Sequence, residues 1–204
     1  MPLSLTQKGA IGQFAFLATS LATGKGQVEI YSPAADNEGR DAEVRRHLKP
    51  APAIGIQVKV TFSSLTKGGR AKYLDARFNT AANRVQTDPR LWYFFAYYDV
   101  RQLRLYDPAF LVPSNVFHKL GRMGRWRGKI AFQMLASLSP TSRDHWSPYR
   151  VAPSDLGRRL LEIIDEAPLN ASSRALKLPS DSVVIGRARR RVARAKVGRA
   201  ARAA

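Results

Sequence analysis

Two stretches of sequence decide the fold: GRDAEV at residues 39–44 and IGIQVKV at residues 54–60. The second stretch alternates apolar and polar side chains, which predicts a β-strand because successive side chains of a strand point to opposite faces. Gln57 and Lys59 then share one face, and the apolar residues around them face a core. Prolines in the connection favour a loop. We expect a hairpin with a long connection that brings Asp41 close to Gln57 and Lys59.

A carboxylate, an amide and a lysine on one polar face have a chemical use. A carboxylate with a second oxygen ligand holds a hard cation such as Mg²⁺, which keeps several of its waters. The cation lowers the pKa of a bound water and neutralises charge that develops on a phosphate. A neighbouring lysine orients the attacking water or stabilises the transition state. Short patterns of this kind also arise by chance on exposed strand faces, so both interpretations stay open at this point.

The order of Asp41, a spacer and Gln57-Val58-Lys59 resembles the core motif of the PD-(D/E)XK nuclease superfamily, in its Gln-x-Lys variant. This superfamily includes the restriction-endonuclease-like and Holliday-junction-resolvase-like folds. The resemblance implies a metal-dependent endonuclease that hydrolyses phosphodiester bonds in DNA. It implies that Asp41, Gln57 and the carbonyl of Val58 bind Mg²⁺ or Mn²⁺, and that Lys59 orients the nucleophile.

A second stretch, KGAIGQFA at residues 8–15, resembles the first helix of the same superfamily. A glutamate often follows the glycine there and helps to bind the metal, whereas this sequence has Gln13. A neutral amide binds a divalent cation more weakly than a carboxylate does, so Gln13 is expected to assist the site at best. The alternative is an ordinary solvent-facing helical residue. The resemblance extends over residues 8–119. It rests mainly on the order and spacing of the motifs, because each motif is short.

The charge of the chain indicates a polyanionic partner. The chain has 204 residues and a formal net charge of +19, which favours nucleic acid first and an anionic membrane surface second. The stretch from Gly186 to the C-terminus holds eight basic residues and no acid, so the rest of the chain carries +11. The chain has no cysteine, which excludes disulfides and thiolate metal sites. With no apolar run near membrane-spanning length, we expect a soluble, cytoplasmic protein without membrane contact.

Two basic segments are candidates for nucleic-acid binding. Arg125, Trp126 and Arg127 lie in a basic, glycine-containing stretch, where aromatic and arginine side chains together can stack on bases and grip phosphates; the alternative is a solvated loop with one anchoring tryptophan. The C-terminal tail has high helix propensity and is expected to become helical on a phosphate backbone. Its candidate contacts are Arg187, Arg189, Arg190, Arg191, Arg194 and Lys196.

The remaining sequence predicts alternating helices and strands. A helix is predicted over residues 5–23, capped by Thr6 and ended by Gly24, and another over 153–166, capped by Ser154. The run LWYFFAYY at residues 91–98 predicts a strand buried on both faces. Further strands are predicted over residues 27–32, 110–114 and 130–138, with a weakly alternating extended segment over 72–78.

These observations lead to one architecture and three functional hypotheses. We predict an α/β fold with a mixed central sheet flanked by helices and a helical C-terminal extension. Its parts are a nuclease-like core at 1–125, a strand, helix and linker extension at 126–182, and a basic tail at 183–204. The favoured function is a Mg²⁺-dependent DNA endonuclease, with DNA preferred over RNA and a homodimer allowed. The alternatives are a catalytically inactive nucleic-acid-binding protein on the same fold and a basic nucleoid-type structural protein.

Overall fold

A computed structural model describes residues 2–32, 39–49, 52–67, 70–168 and 174–175. Three helices and thirteen strands form this part of the chain. In chain order they are α1 (Leu5–Thr23), β1 (Val28–Tyr31), β2 (Ala42–Arg46), β3 (Ala53–Thr61), β4 (Ser64–Lys67), β5 (Arg70–Thr80), β6 (Gln86–Thr87), β7 (Leu91–Asp99), β8 (Arg104–Leu105), β9 (Ala109–Pro113), α2 (Ser114–Leu120), β10 (Arg122–Trp126), β11 (Lys129–Ser137), β12 (Arg150–Val151), α3 (Leu156–Glu166) and β13 (Arg174–Ala175).

The larger sheet is mixed and runs in the order β1-β2-β3-β7-β9-β12, with β8 paired to β7. Strands β3 and β7 are parallel, and the other neighbours are antiparallel. A second sheet is antiparallel throughout and runs β10-β11-β5-β4. The short strands β6 and β13 pair with each other. The predicted mixed central sheet is confirmed, and the second four-stranded sheet adds to it.

Strand β7 lies at the centre of the larger sheet because its side chains are apolar on both faces. Phe94 faces the helices and contacts Phe16 of α1, with ring centroids 4.9 Å apart. Tyr93 and Phe95 face the second sheet, and both are buried. A strand between two packed layers needs apolar side chains in succession rather than in alternation. The prediction of a strand buried on both faces over residues 91–98 is confirmed.

Two apolar cores fill the space between three layers. One core lies between the larger sheet and helices α1 and α3, and includes Phe16, Ile56 and Leu160. The other lies between the larger sheet and the second sheet, together with α2, and includes Phe117 and Phe132. The helices therefore flank the mixed sheet as predicted: α1 and α3 on one face, and α2 on the other.

Helix α1 begins and ends at identifiable signals. Ser4 is its N-cap in a reciprocal capping box with Gln7, so the assignment of the cap to Thr6 was wrong, while Gly24 ends the helix as predicted. A Cβ on Gly12 would lie 2.8 Å from Cβ of Val60. The missing side chain lets α1 lie directly against β3, which places the first turns of the helix beside the polar residues of that strand.

Helix α3 starts later than its sequence suggests. Residues Pro153–Asp155 form a 3₁₀ turn, and Asp155 is the N-cap without a side-chain capping bond. Ser154 therefore does not cap the helix, because the chain enters through the tighter turn that the proline favours. Leu156, Leu160 and Ile164 form the apolar stripe of this helix, and each is at most 1% exposed.

The basic stretch at residues 121–129 forms most of a β-hairpin. Trp126 faces Lys129 across β10 and β11, leaving Arg127 and Gly128 as a two-residue turn. Both turn residues have positive φ, 49° and 75°, which the tight hairpin turn requires. This hairpin crosses the predicted division at residue 126, and that division remains a prediction. The tail at 183–204 lies outside the described residues. Within the described part, no helix is long and apolar enough to cross a membrane.

Candidate active site

The carboxylate of Asp41 continues the hydrogen bonding of β3 at the point where β2 begins. The ladder between these strands starts at Ala42, which faces Ile56. Just before it, the backbone N–H of Asp41 donates to the carbonyl of Ile56 over 2.9 Å. One step along β3, the backbone N–H of Val58 donates to Oδ2 of Asp41 over 2.7 Å. Beyond the start of β2, the carboxylate of Asp41 therefore accepts the β3 hydrogen bond that a paired strand would accept. The two hydrogen bonds, one from the backbone and one to the side chain, fix the position of Asp41.

Lys59 lies beside this carboxylate. Its ammonium nitrogen Nζ is 3.8 Å from Oδ2 of Asp41 and 5.0 Å from the centre of the Phe78 ring. The two charged side chains are 23% and 17% exposed, so the pair is partly shielded from water but still reachable. Attraction between charges at this separation is several-fold stronger in such surroundings than in bulk water. The ring of Phe78 adds a cation–π contact with this nitrogen.

These groups line a cleft of about 640 Å³ between α1, β3 and β5. Gln13 reaches it from α1, and Asp41, Val58 and Lys59 reach it from the larger sheet. The cleft forms where β4 stops covering β5, because β4 pairs with β5 no further than Leu74. The structure therefore brings together four of the residues singled out in the sequence, from segments separated by up to 46 positions.

Gln57 is placed differently. It lies on the same strand face as Lys59, two positions earlier, but it is not among the residues that line the cleft. Its amide nitrogen Nε2 would lie 3.4 Å from a Cβ on Gly39, a buried residue with φ of +67°. Gln57 therefore packs against the turn that leads to Asp41. Its assignment as a metal ligand remains a prediction.

The sequence interpretation missed Asp75, a second carboxylate in the cleft. Asp75 lies on β5 and lines the cleft with Arg77. Arg77 binds it through two nitrogens, with Nε 3.0 Å from Oδ1 and Nη2 2.7 Å from Oδ2, and Nε2 of Gln133 donates to Oδ1 over 2.7 Å. The pattern Asp-x-Arg in an extended segment was a signal, because it puts both side chains on one face. It does not reveal which distant strand that face meets.

A chain of polar side chains lies beside the second core. The Tyr93 hydroxyl is 3.0 Å from Nε2 of His118, and Nδ1 of His118 is 3.0 Å from the hydroxyl of Thr87. Burial raises the pKa of Tyr93, and the negative charge of Asp41 raises it further. Burial also lowers the pKa of His118 to about 4. Both rings are therefore neutral at pH 7.

The donor atoms in the cleft suit a hard divalent cation. Asp41 offers a carboxylate and Gln13 an amide oxygen. The carbonyl of Val58 points to the same side of β3 as its N–H, toward Asp41. Mg²⁺ prefers such oxygen donors and uses one or two carboxylates while keeping several waters. Within the described residues, no three His, Cys, Asp or Glu side chains are grouped closely enough to hold a metal. A cation here would rest on Asp41, neutral oxygens and water.

The predicted nucleic-acid contacts fall into two groups. Arg125 and Arg127 are exposed at the end of the β10–β11 hairpin. The guanidinium carbon of Arg127 lies 5.5 Å from the ring centre of the half-buried Trp126. The predicted contacts of the tail lie outside the described residues; these are Arg187, Arg189, Arg190, Arg191, Arg194 and Lys196.

Comparison with known proteins adds one structural likeness. No protein-family model matches the chain, and no curated protein matches it at a significant level. The solved structure of a bacterial homing endonuclease is similar to this chain with a TM-score of 0.47 and 17% sequence identity, over 80% of this chain and 94% of that chain. A likeness at this level supports no conclusion about the activity of this chain.

Proposed function

We propose that the protein is a metal-dependent endonuclease that hydrolyses phosphodiester bonds in DNA, as its resemblance to the Gln-x-Lys variant of the PD-(D/E)XK superfamily implies. One observation carries the proposal. Asp41, held by the Val58 N–H over 2.7 Å, and Lys59, with Nζ 3.8 Å from the same carboxylate oxygen, face an open cleft. A metal-binding acid and a neighbouring cation in a solvent-accessible cleft are what phosphodiester hydrolysis needs.

Each residue has a distinct part in the proposal. Asp41 binds the divalent cation, with the Val58 carbonyl and the Gln13 amide as neutral ligands. Mg²⁺ or Mn²⁺, when bound, supplies Lewis acidity toward the phosphate and an acidified water. Lys59 donates to the attacking water or to a phosphate oxygen, and its contacts with Asp41 and Phe78 limit its movement. Gln57 is proposed as a further weak ligand or as a residue that holds a metal-bound water.

The charge of the chain supports nucleic acid as the substrate. A formal net charge of +19 over 204 residues attracts the phosphate backbone and releases its counterions. We propose DNA rather than RNA, a cytoplasmic location and an assembly that allows a homodimer. The basic tail is proposed to strengthen binding without entering the cleft.

The proposal is tested by a cleavage assay with purified full-length protein on supercoiled plasmid, branched DNA and single-stranded DNA. Each substrate is incubated with Mg²⁺, with Mn²⁺ or with EDTA. We expect cleavage of at least one DNA substrate with a divalent cation and none with EDTA. Cleavage that persists in EDTA would contradict the proposed metal dependence. The absence of cleavage under every condition would contradict the proposed nuclease activity.

One observation favours a second candidate function. Of the side chains predicted to bind the metal, Asp41 alone is a carboxylate. The other two, Gln13 and Gln57, are neutral amides. Asp75 is bound by Arg77 and Gln133. A site of this kind also fits a protein that has kept the fold and lost catalysis. Such a protein would bind DNA equally well with Mg²⁺ and with EDTA and would cleave no substrate.

A further inference from the structure

The second sheet has one face on the core and one face directed away from it. Leu74, Phe132 and Met134 are at most 1% exposed and belong to the core-facing set. Because side chains alternate along a strand, the residues between them point to the opposite face. This outer face includes Tyr73, Asp75, Arg77 and Asn79 on β5, Lys129, Ala131, Gln133, Leu135 and Ser137 on β11, and Arg122, Gly124 and Trp126 on β10.

Basic and amide side chains form a row across the outer face. Arg122 faces Gln133, and Gln133 in turn faces Arg77, so three strands contribute to one line. Lys129 and Asn79 lie toward the hairpin end of the same face. Arg77, Arg122, Lys129 and Asn79 are all exposed. Gln133, between the two arginines, is 7% exposed and its amide is bound to Asp75. The exposed guanidinium groups of Arg77 and Arg122 therefore stand two strands apart, roughly 10 Å.

The charge of the outer face is positive. Asp75 is its one acidic residue on strands β5, β10 and β11, and Arg77 and Gln133 already bind that carboxylate. None of the ion pairs found among the described residues involves Arg122 or Lys129. Their charges are therefore available to an external anion.

The outer face is continuous with the candidate site. Asp75 and Arg77 belong to the outer face and also line the cleft that holds Asp41 and Lys59. A phosphate backbone that crosses the row of basic residues therefore passes the mouth of the cleft.

The β10–β11 hairpin extends this surface beyond the sheet. The pairing of β11 with β5 reaches Ile130 and Thr80, so residues 126–129 project past the end of β5. Arg127 and Lys129 are exposed at this end. A two-stranded ribbon of this kind fits the width of the major groove of B-DNA.

We propose that the outer face of the second sheet is the docking surface for double-stranded DNA, with the end of the β10–β11 hairpin in the major groove. This inference rests on the DNA-binding part of the proposed function and adds the surface that aligns the duplex with the cleft. Arg122 and Lys129 contact phosphates, while Arg77 contacts the strand that passes the cleft.

The test measures binding of the full-length protein to a short fluorescent duplex in EDTA at several salt concentrations. The variant pair Arg122→Gln and Lys129→Gln removes two charges from the outer face, away from the cleft. The control pair Lys25→Gln and Lys49→Gln removes two exposed lysines at the β1–β2 end of the larger sheet. Each lost phosphate contact makes the slope of log K against log salt less negative by about 0.9.

We expect the sheet pair to reduce the slope by about 2 and to weaken binding at least about tenfold in 0.1 M salt, with little change for the control pair. Equal slopes for the two pairs, or an equal loss toward a single strand of the same length, would overturn the inference. Because the proposed cleavage needs a divalent cation, binding in EDTA is measured without catalysis. If the protein cleaves no substrate but shows these slopes, the nuclease proposal is wrong and the proposed DNA-docking surface is still supported.

Discussion

Oδ2 of Asp41 lies 3.8 Å from Nζ of Lys59 and 2.7 Å from the backbone nitrogen of Val58. One oxygen thus faces both the strand and the lysine, and it sits in a cleft reached by α1 and β5. The hydrogen bond from the Val58 N–H holds the Asp41 carboxylate in one position beside the Lys59 ammonium group. Substitution of either residue therefore tests the contribution of one charge to metal binding or cleavage.

The first prediction concerns the charge of Asp41. Asp41→Asn keeps an oxygen that can accept the Val58 N–H but removes the negative charge. We expect DNA cleavage to be lost and Mn²⁺ affinity, measured by calorimetric titration, to fall at least about tenfold, because a hard cation needs an anionic oxygen. Glu43→Gln is the matched control, since Glu43 lies two positions away on β2 and does not line the cleft. Unchanged Mn²⁺ affinity in the Asp41 variant would place the metal elsewhere.

The second prediction concerns the neutral ligands. Gln13→Glu adds a carboxylate to the cleft, so Mn²⁺ should bind severalfold more tightly, and cleavage should hold or improve if metal binding limits it. Gln57→Glu is measured in parallel, because the sequence assigns that residue to the metal whereas the structure places it against Gly39. A gain with Gln57→Glu as large as with Gln13→Glu would support the assignment of Gln57. No gain with either variant would argue that neither amide lies near the cation.

The third prediction tests the core of the fold. Phe94 is fully buried and contacts Phe16 across the interface of β7 and α1. Phe94→Ala should lower the free energy of unfolding by about 3–5 kcal/mol, because it leaves a cavity. Phe14→Ala is the same substitution at a side chain that is 74% exposed, and it should change stability by about 0.5 kcal/mol or less. Similar urea midpoints for the two variants would contradict the central position of β7.

The fourth prediction concerns pH. Burial lowers the pKa of His118 to about 4 from its ordinary value of 6.5. The unfolded chain therefore binds a proton at this residue between pH 6.5 and 4 while the folded chain does not. Stability must fall as the pH drops through that window. Between pH 7.5 and 5, His118 should account for about 2 kcal/mol of lost unfolding free energy.

The variant His118→Gln isolates this contribution. Other groups, such as Glu29 with its pKa lowered to about 2 by contacts with Tyr31, His47 and Arg45, titrate in the wild type and the variant alike. Urea unfolding at the two pH values should therefore show a smaller loss for the variant. An equal loss in both proteins would mean that His118 is protonated in the folded state.

The parts of the fold that sequence predicts are those fixed by local pattern. Helix α1 was predicted with the bounds it has, because apolar spacing and Gly24 define it. The alternation around Gln57 and Lys59 gave the correct faces of β3, and Ile56 and Val58 are buried as expected. The short-range pairing of β2 with β3 then brought Asp41 to Lys59.

The parts that sequence did not predict depend on distant pairing or on turn geometry. Strand β5 pairs with β11, and Gln133 reaches Asp75 across 58 positions. No local pattern encodes that partner, so Asp75 was not recognised as part of the cleft. The tight turn at Arg127 and Gly128 is not predicted, because this pair is not the Asn-Gly or Asp-Gly typical of tight hairpins. The resemblance to the PD-(D/E)XK superfamily and the roles of the site residues remain predictions.

The most direct test of the central claim compares cleavage and binding by the wild type, Lys59→Met and Lys49→Met. Methionine keeps an unbranched side chain and removes the ammonium group, while Lys49 is exposed in the connection between β2 and β3. We predict Mg²⁺-dependent DNA cleavage by the wild type and Lys49→Met, and at least about a hundredfold slower cleavage by Lys59→Met, because one well-placed electrostatic donor contributes that much. Duplex binding and thermal unfolding should match in all three proteins. Cleavage by Lys59→Met at the wild-type rate would contradict the account.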